Sequence, residues 1–275
     1  MLKKIEITYT QYTIESTPEE QEILIAQLVD VGFEGFEETD TALHACITNK
    51  QLFETKEEIK ALLEQKIYTT ELIKNKNWNE EWEKSFEPVT VDDKIIVRAT
   101  FHIPQPQYEY EIIIQPKMSF GTGHHATTEQ MMRMMLELTF EDKKVFDFGC
   151  GTGILSILAS KLKADYVYAI DCEDWTIDNA KDNATVNECN NVQFDYSTLI
   201  EVTNCDIVLA NINKNVLVEY GGKISETIVN KGFLLTSGYY SNDAETIEKI
   251  YEINGFIKIK NTVKDEWNCH LFQKL

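Results

Sequence analysis

An α/β chain with two parts is the fold class the sequence predicts: a Rossmann-like doubly wound sheet that closes in a terminal antiparallel hairpin, behind a small α+β unit of ferredoxin-like order. Three observations predict it. From Asp92 onward, apolar strand patterns alternate with longer helical ones. One strand-to-helix junction, Asp147 to Gly153, is rich in glycine. The first 75 residues read β-α-β-β-α-β.

In the first part, alternating Ile5, Ile7 and Tyr9 suggest a half-buried strand. A helix follows, with Ser16 or Thr17 as cap, Pro18 in the first turn, Glu19 and Glu20 at the positive end of the dipole, and Gly32 at its stop. Strands are expected at 33–37 and 43–48 around a Thr39-Asp40-Thr41 turn, then a helix over 52–65 and a strand over 67–73. That order folds as a split β-α-β, with two helices on one face of a four-stranded antiparallel sheet. Its single histidine, His44, sits in a strand pattern and reads as structural. A linker helix is expected over 76–91, where Trp78, Trp82 and Phe86 recur every fourth residue along one face. The division is therefore 1–75, 76–91 and 92–275.

In the larger part the clearest strands are 144–148, 166–171, 206–210 and 233–237, with helical segments between. The ending FIKIKNTVKDEWNCHLFQKL reads as two strands with no helix between them.

Composition narrows the function classes. With 46 acidic against 26 basic residues the net charge is −20, spread along the chain, so the surface repels phosphate backbones. Direct nucleic-acid binding is not expected, and a basic protein partner suits the charge. Six scattered cysteines form no C-x-x-C pair, which suggests neither a zinc site nor a disulfide framework. No stretch approaches the length of a membrane helix, and the start lacks the apolar core of a signal peptide, so no membrane association and a cytoplasmic location are expected.

The chemistry concentrates in VFDFGCGTGILSILASKL. A strand delivers Asp147, and Gly149, Gly151 and Gly153 allow a tight turn that a ligand can approach closely. Dinucleotide folds use G-x-G-x-x-G to seat a pyrophosphate. Here the run is D-x-G-x-G-x-G, with Ile154 where that fingerprint wants glycine. An acidic Asp147 would repel phosphate but suits an ammonium group, hence an amino-acid moiety. Asp171 stands 22 positions after Gly149 at the next strand end, where an acidic residue can hold ribose hydroxyls; it also reads as a helix cap.

These features resemble the class I S-adenosylmethionine-dependent methyltransferases, and SFGTGHHATT at Ser119 to Thr128 resembles the F-G-T-G-x-H-x-T-T signature of the ribosomal protein L11 methyltransferases, the PrmA family. The match spans nearly the whole chain. The resemblance implies S-adenosyl-L-methionine as cofactor and ribosomal protein L11 as the substrate, methylated on lysine or N-terminal amines. It implies cofactor contacts at Thr128, Gly149, Gly151, Asp171 and Asn211, with Gly121 and His125 in the loop over the cofactor. Asn211 is the expected catalytic residue: its carbonyl would accept a hydrogen bond from the acceptor amine and steer the lone pair. His125 matches the family's histidine while His124 falls at a variable position, and no histidine base is needed, because a desolvated amine loses its proton to water before attack. The chain departs from the family at Asn213, where N-I-L is usual, and at Gln115-Pro116-Lys117, where D-P-G is usual. The first part would recognise the substrate through Glu34, Glu37, Glu38 and Asp40. Two other readings stand beside this one: a methyltransferase for a small molecule or RNA, and a non-catalytic acidic module that binds a basic protein.

Overall fold

The computed structural model describes residues 9–73, 86–115 and 119–275. It divides into two compact units, 1–86 and 87–275.

The first unit contains β1 (Tyr9–Glu15), α1 (Pro18–Asp30), β2 (Gly35–Glu38), β3 (Ala42–Thr48), α2 (Asn49–Glu54), α3 (Lys56–Leu62) and β4 (Tyr68–Ile73). The strands lie in the order β2-β3-β1-β4, every neighbour antiparallel. Alternation explains the core: Tyr12 and Ile14 of β1 and Leu43, Ala45 and Ile47 of β3 face Leu24, Leu28, Ile59 and Leu63 from the helices. Thr17 caps α1, and the Glu20 carboxylate accepts a hydrogen bond from Thr17 N at 3.1 Å, closing a capping box. The expected single helix over 52–65 is two short ones. They meet at Thr55, whose hydroxyl shares its proton between the carbonyls of Gln51 and Val31, each at 3.0 Å. Ile5 and Ile7 lie outside the described residues, as do Trp78 and Trp82 of the expected linker helix.

The second unit opens with a three-stranded sheet, β5 (Val89–Val91), β6 (Ile95–Arg98) and β7 (Tyr110–Ile113). The linker helix expected to run to 91 thus gives way to a strand at Val89. Val91 is fully buried against the core, and Asp92 and Asp93, at φ 48° and 53°, turn the chain into β6, a left-handed conformation that aspartate tolerates better than most residues.

The main sheet comprises β8 (Lys144–Phe148), β9 (Tyr166–Asp171), β10 (Val192–Tyr196), β11 (Cys205–Asn211), β12 (Ile228–Tyr240), β13 (Phe256–Lys264) and β14 (Trp267–Lys274). Its order is β10-β9-β8-β11-β12-β14-β13. The first five are parallel, and the expected hairpin adds β14 and β13 antiparallel. Helices cover both faces, so the strands are apolar at successive positions. One face carries Val145, Val167, Ala169 and Leu209 against α4 (Ala126–Met135), α5 (Ile154–Lys161) and α6 (Asp174–Val186). The other carries Phe146, Phe148, Val208 and Ala210 against α7 (Lys214–Glu219), α8 (Gly221–Thr227) and α9 (Ala244–Ile253). The chain leaves β8 toward β9 on one side and returns to β11 on the other. A crevice therefore opens beyond the carboxyl ends of β8 and β11, where doubly wound sheets bind ligands.

Candidate active site

A cleft of about 430 Å³ occupies that crevice. Its walls come from the ends of four parallel strands: Phe148 and the glycine turn after β8, Ile170 and Asp171 of β9, Ser197 and Thr198 after β10, and Asn211 of β11. Tyr220 and Phe148, their rings 5.4 Å apart, form one apolar wall, and Phe120 enters from the preceding loop.

The glycine turn needs its glycines. Gly149 and Gly151 have φ of 78° and 54°; a Cβ on Gly149 would lie 2.3 Å from Ile212 Cγ2, and one on Gly151 2.3 Å from the Phe120 carbonyl oxygen. Main chain thereby closes on main chain: Thr152 N donates to Phe120 O at 2.9 Å, and Thr152 Oγ1 donates to Gly121 O at 2.5 Å.

Asp171 spans the turn and the next helix. Oδ2 accepts from Gly151 N at 2.9 Å and Oδ1 from Glu173 N at 3.2 Å. An ionised carboxylate has about four acceptor sites. Two acceptor sites therefore remain, and the N-cap of α6 is Glu173, not Asp171 as the sequence also allowed.

Asn211 lines the same cleft. Its Nδ2 donates to Thr128 Oγ1 at 3.3 Å, while its Oδ1 is buried with no hydrogen-bond partner. A buried acceptor left without a partner costs free energy. Among the described residues no cluster of His, Cys, Asp or Glu is placed to hold a metal ion.

The sequence matches the family model of ribosomal protein L11 methyltransferase (PrmA) over residues 5–275. The chain belongs to the PrmA family. It is 38% identical to a ribosomal protein L11 methyltransferase of Porphyromonas gingivalis over 94% of this chain and 95% of that one. It is 36% identical to one of Chlorobaculum parvum over 92% of each chain. The crystal structure of a ribosomal protein L11 methylase from Lactobacillus delbrueckii subsp. bulgaricus shares the fold, with a TM-score of 0.65 and 23% identity, covering 69% of this chain and all of that one.

The PrmA signature residues separate into two groups. Gly149, Gly151, Asp171 and Asn211 line the cleft, whereas Thr128, Gly121 and His125 do not. Thr128 is fully buried and reaches the cleft through Asn211. Gly121 offers its carbonyl to Thr152. His125 caps α4, its Nδ1 accepting from Thr127 N at 3.3 Å, and its ring meets Phe120 and Trp267 edge-on at 5.4 and 4.8 Å. It wedges the loop against the terminal hairpin.

Asp147 corrects an expectation. It lies beneath the turn on the α5 face, 1% exposed, with Oδ2 accepting from Ser156 Oγ at 2.6 Å, and does not line the cleft. Burial pushes its pKa up to about 7; the Ser156 hydroxyl opposes this and the Asp171 charge adds to it. Burial also holds the Cys150 thiol, in the turn, well above its ordinary value. Sequence reasoning missed Phe120, Ser197, Thr198 and Tyr220. The first was in plain view inside the loop signature, but the others become legible only once the strand order brings the ends of β9, β10 and β11 to one crevice.

Proposed function

We propose that this chain transfers methyl groups from S-adenosylmethionine to lysine or N-terminal amines of ribosomal protein L11, in the cytoplasm. The observation that carries the reading is the buried, unpartnered Asn211 Oδ1 in the same cleft as Asp171 and the glycine turn.

The residues present fit the cofactor. Asp171 keeps two acceptor sites for a ribose diol, the main chain at Gly149 and Gly151 is open to an amino-acid moiety, and Phe148 and Tyr220 offer apolar ring faces to a purine. Asp171 and Glu219 give the cleft negative charge, which suits a sulfonium. S-adenosylmethionine, when bound, supplies an electrophilic methyl carbon.

Catalysis by the protein is then mostly positioning. Asn211 Oδ1 accepts an N–H of the neutral acceptor amine and thereby fixes the direction of its lone pair. Thr128 holds the Asn211 amide so that the carbonyl keeps this orientation. Apolar walls strip water from an ammonium and favour its neutral form, with the proton leaving to solvent before attack. In the first unit Glu34, Glu37, Glu38 and Asp40 are all exposed on and beside the edge strand β2, a surface suited to a basic ribosomal protein.

The test is incubation of the purified protein with labelled S-adenosylmethionine and free ribosomal protein L11, with Asp171→Ala as control, followed by mass mapping. Methyl groups on lysine or the terminal amine, lost in the control, are expected. Transfer to RNA or small amines but not to the ribosomal protein would overturn the substrate, and absence of cofactor binding would overturn the whole reading.

A further inference from the structure

We infer that Asn179 and Asn183 of α6, with its C-cap residue Asn187, form a positioning ladder that ties the Ser119–Gly123 loop to the glycine turn and so sets the affinity of the cleft. The ligand half of this inference rests on the proposed cofactor; the mechanical half does not.

The three asparagines follow one another at intervals of four on a single helical stripe, and all are buried, at 1%, 0% and 7% exposure. Buried amides are costly unless their polar atoms are used, and an alanine or leucine would pack such a stripe without that cost. Here most of the amide atoms reach groups outside the helix, although Asn187 Nδ2 also donates to Asn183 O at 2.8 Å. Asn187 treats Ile113 as a neighbouring strand would: Oδ1 accepts from Ile113 N at 2.9 Å, and Nδ2 donates to Ile113 O at 2.6 Å. Asn183 Oδ1 accepts from Gln115 N at 2.8 Å, while its Nδ2 donates to Thr152 O at 2.9 Å. Asn179 Nδ2 donates to Ser119 Oγ at 3.1 Å, and its Oδ1 is buried without a partner.

The spacing has a geometric reason. Two extended residues, Ile113 to Gln115, advance about 6.6 Å, close to the roughly 6 Å that four helical residues rise. The chain running opposite to α6 therefore meets Asn187 at Ile113 and Asn183 two residues later at Gln115.

The rung at Asn183 matters most for the cleft, because its partner Thr152 also holds the loop. Thr152 gives its carbonyl to Asn183, its N–H to Phe120 O and its hydroxyl to Gly121 O. The glycine turn, the loop and α6 are thus locked through a single residue, and Gly151 and Phe120 both line the cleft. Asn183 is a positioning residue in this account and touches no ligand.

Amide hydrogen exchange on the full chain, with calorimetric titration of S-adenosylhomocysteine, tests the ladder. Asn183→Asp keeps the acceptor for Gln115 N but sets a carboxylate against the Thr152 carbonyl. Exchange in peptides covering 119–125 and 149–153 should rise about tenfold, the size expected for one lost hydrogen bond, with β9 and β11 unchanged and the dissociation constant up by a similar factor. Asn179→Ala, a milder change, should speed exchange over 119–125 alone. Wild-type exchange at 119–125 in both variants would overturn the ladder, and so would a uniform rise across all strands. Faster loop exchange with unchanged affinity would overturn the link to the cleft. Should the wild-type chain bind no S-adenosylhomocysteine at all, the cofactor reading fails while the exchange data still decide the ladder.

Discussion

Asn211 and Thr128 stand 83 positions apart in sequence and meet through one hydrogen bond of 3.3 Å, which holds the Asn211 amide by its nitrogen and leaves its buried oxygen without a partner. The sheet brings them together: Asn211 ends the central strand β11, and Thr128 lies in the first turn of α4, which packs across that strand. Orientation of a single carbonyl is thus set by a residue that does not line the cleft.

Asn211→Ala should lower kcat by about 100-fold, the size expected when a reacting group loses its alignment, while S-adenosylhomocysteine affinity changes only a few-fold. Thr128→Val keeps the side-chain shape and removes the acceptor, and should give an intermediate loss of kcat. Steady-state kinetics with parallel calorimetry would show it; equal losses of kcat and cofactor affinity in Asn211→Ala would argue against an acceptor-side role.

Gly151→Ala forces a Cβ to within 2.3 Å of the Phe120 carbonyl at a positive φ. Strain of this kind costs on the order of 1–3 kcal/mol. The expected result is weaker cofactor binding with a thermal midpoint reduced by a few degrees, measured by calorimetry and thermal unfolding. An unchanged midpoint and affinity would mean that the loop yields freely.

Asp147 makes stability depend on pH in an unusual direction. Its pKa is raised by burial to about 7 in the folded chain, so between about pH 4 and 7 the folded state keeps a proton that the unfolded state releases, and stability falls as pH rises. The contribution has an upper bound of roughly 4 kcal/mol. Asp147→Asn retains an acceptor for Ser156 and cannot ionise. Urea unfolding at pH 4.5 and pH 8 should show the variant gaining on the wild-type chain as pH rises, then levelling above about pH 7.5; a constant difference would place the charge elsewhere.

His270 works in the opposite sense. Burial lowers its pKa to about 4, with Glu248 raising it and Lys258 lowering it further, and its Nδ1 lies 3.0 Å from the Tyr239 hydroxyl. The folded state holds it neutral, so its stabilising contribution is complete above about pH 6.5 and is lost as pH falls toward 4. His270→Gln should therefore gain stability relative to the wild-type chain through that window, by up to roughly 3 kcal/mol. Denaturation series at pH 7 and pH 4.5 would reveal the change, and a difference that stays flat between them would refute the assignment.

The sequence by itself determined the main strands of the large sheet, its terminal hairpin and the broad β-α-β-β-α-β order of the first unit, because periodicity reports burial directly. The strand runs that became β8 and β11 read as mainly apolar, and the D-x-G-x-G-x-G turn marked its own conformation, since a Cβ at Gly149 or Gly151 would clash at 2.3 Å at a positive φ. In β1 the buried apolar residues are Tyr12 and Ile14, on the opposite face from Tyr9, which alternation with Ile5 and Ile7 suggested. Asp171, from its place in the pattern, and Asn211, from the family resemblance, are both strand-end residues that line the cleft. What pattern could not report is which side chains meet across distance. A strand at Val89–Val91 hid in what reads as a linker helix, because its burial depends on a β6 neighbour and on the core beneath it. Asp147 reads as a ligand contact until the packing of α5 encloses it. Nothing in the spacing of Asn179, Asn183 and Asn187 shows what they pair with, and only the course of the chain past β7 and the glycine turn makes them its hydrogen-bond partners. Local backbone preference is written in consecutive residues, whereas burial and pairing of polar groups are settled by whatever the fold places opposite them.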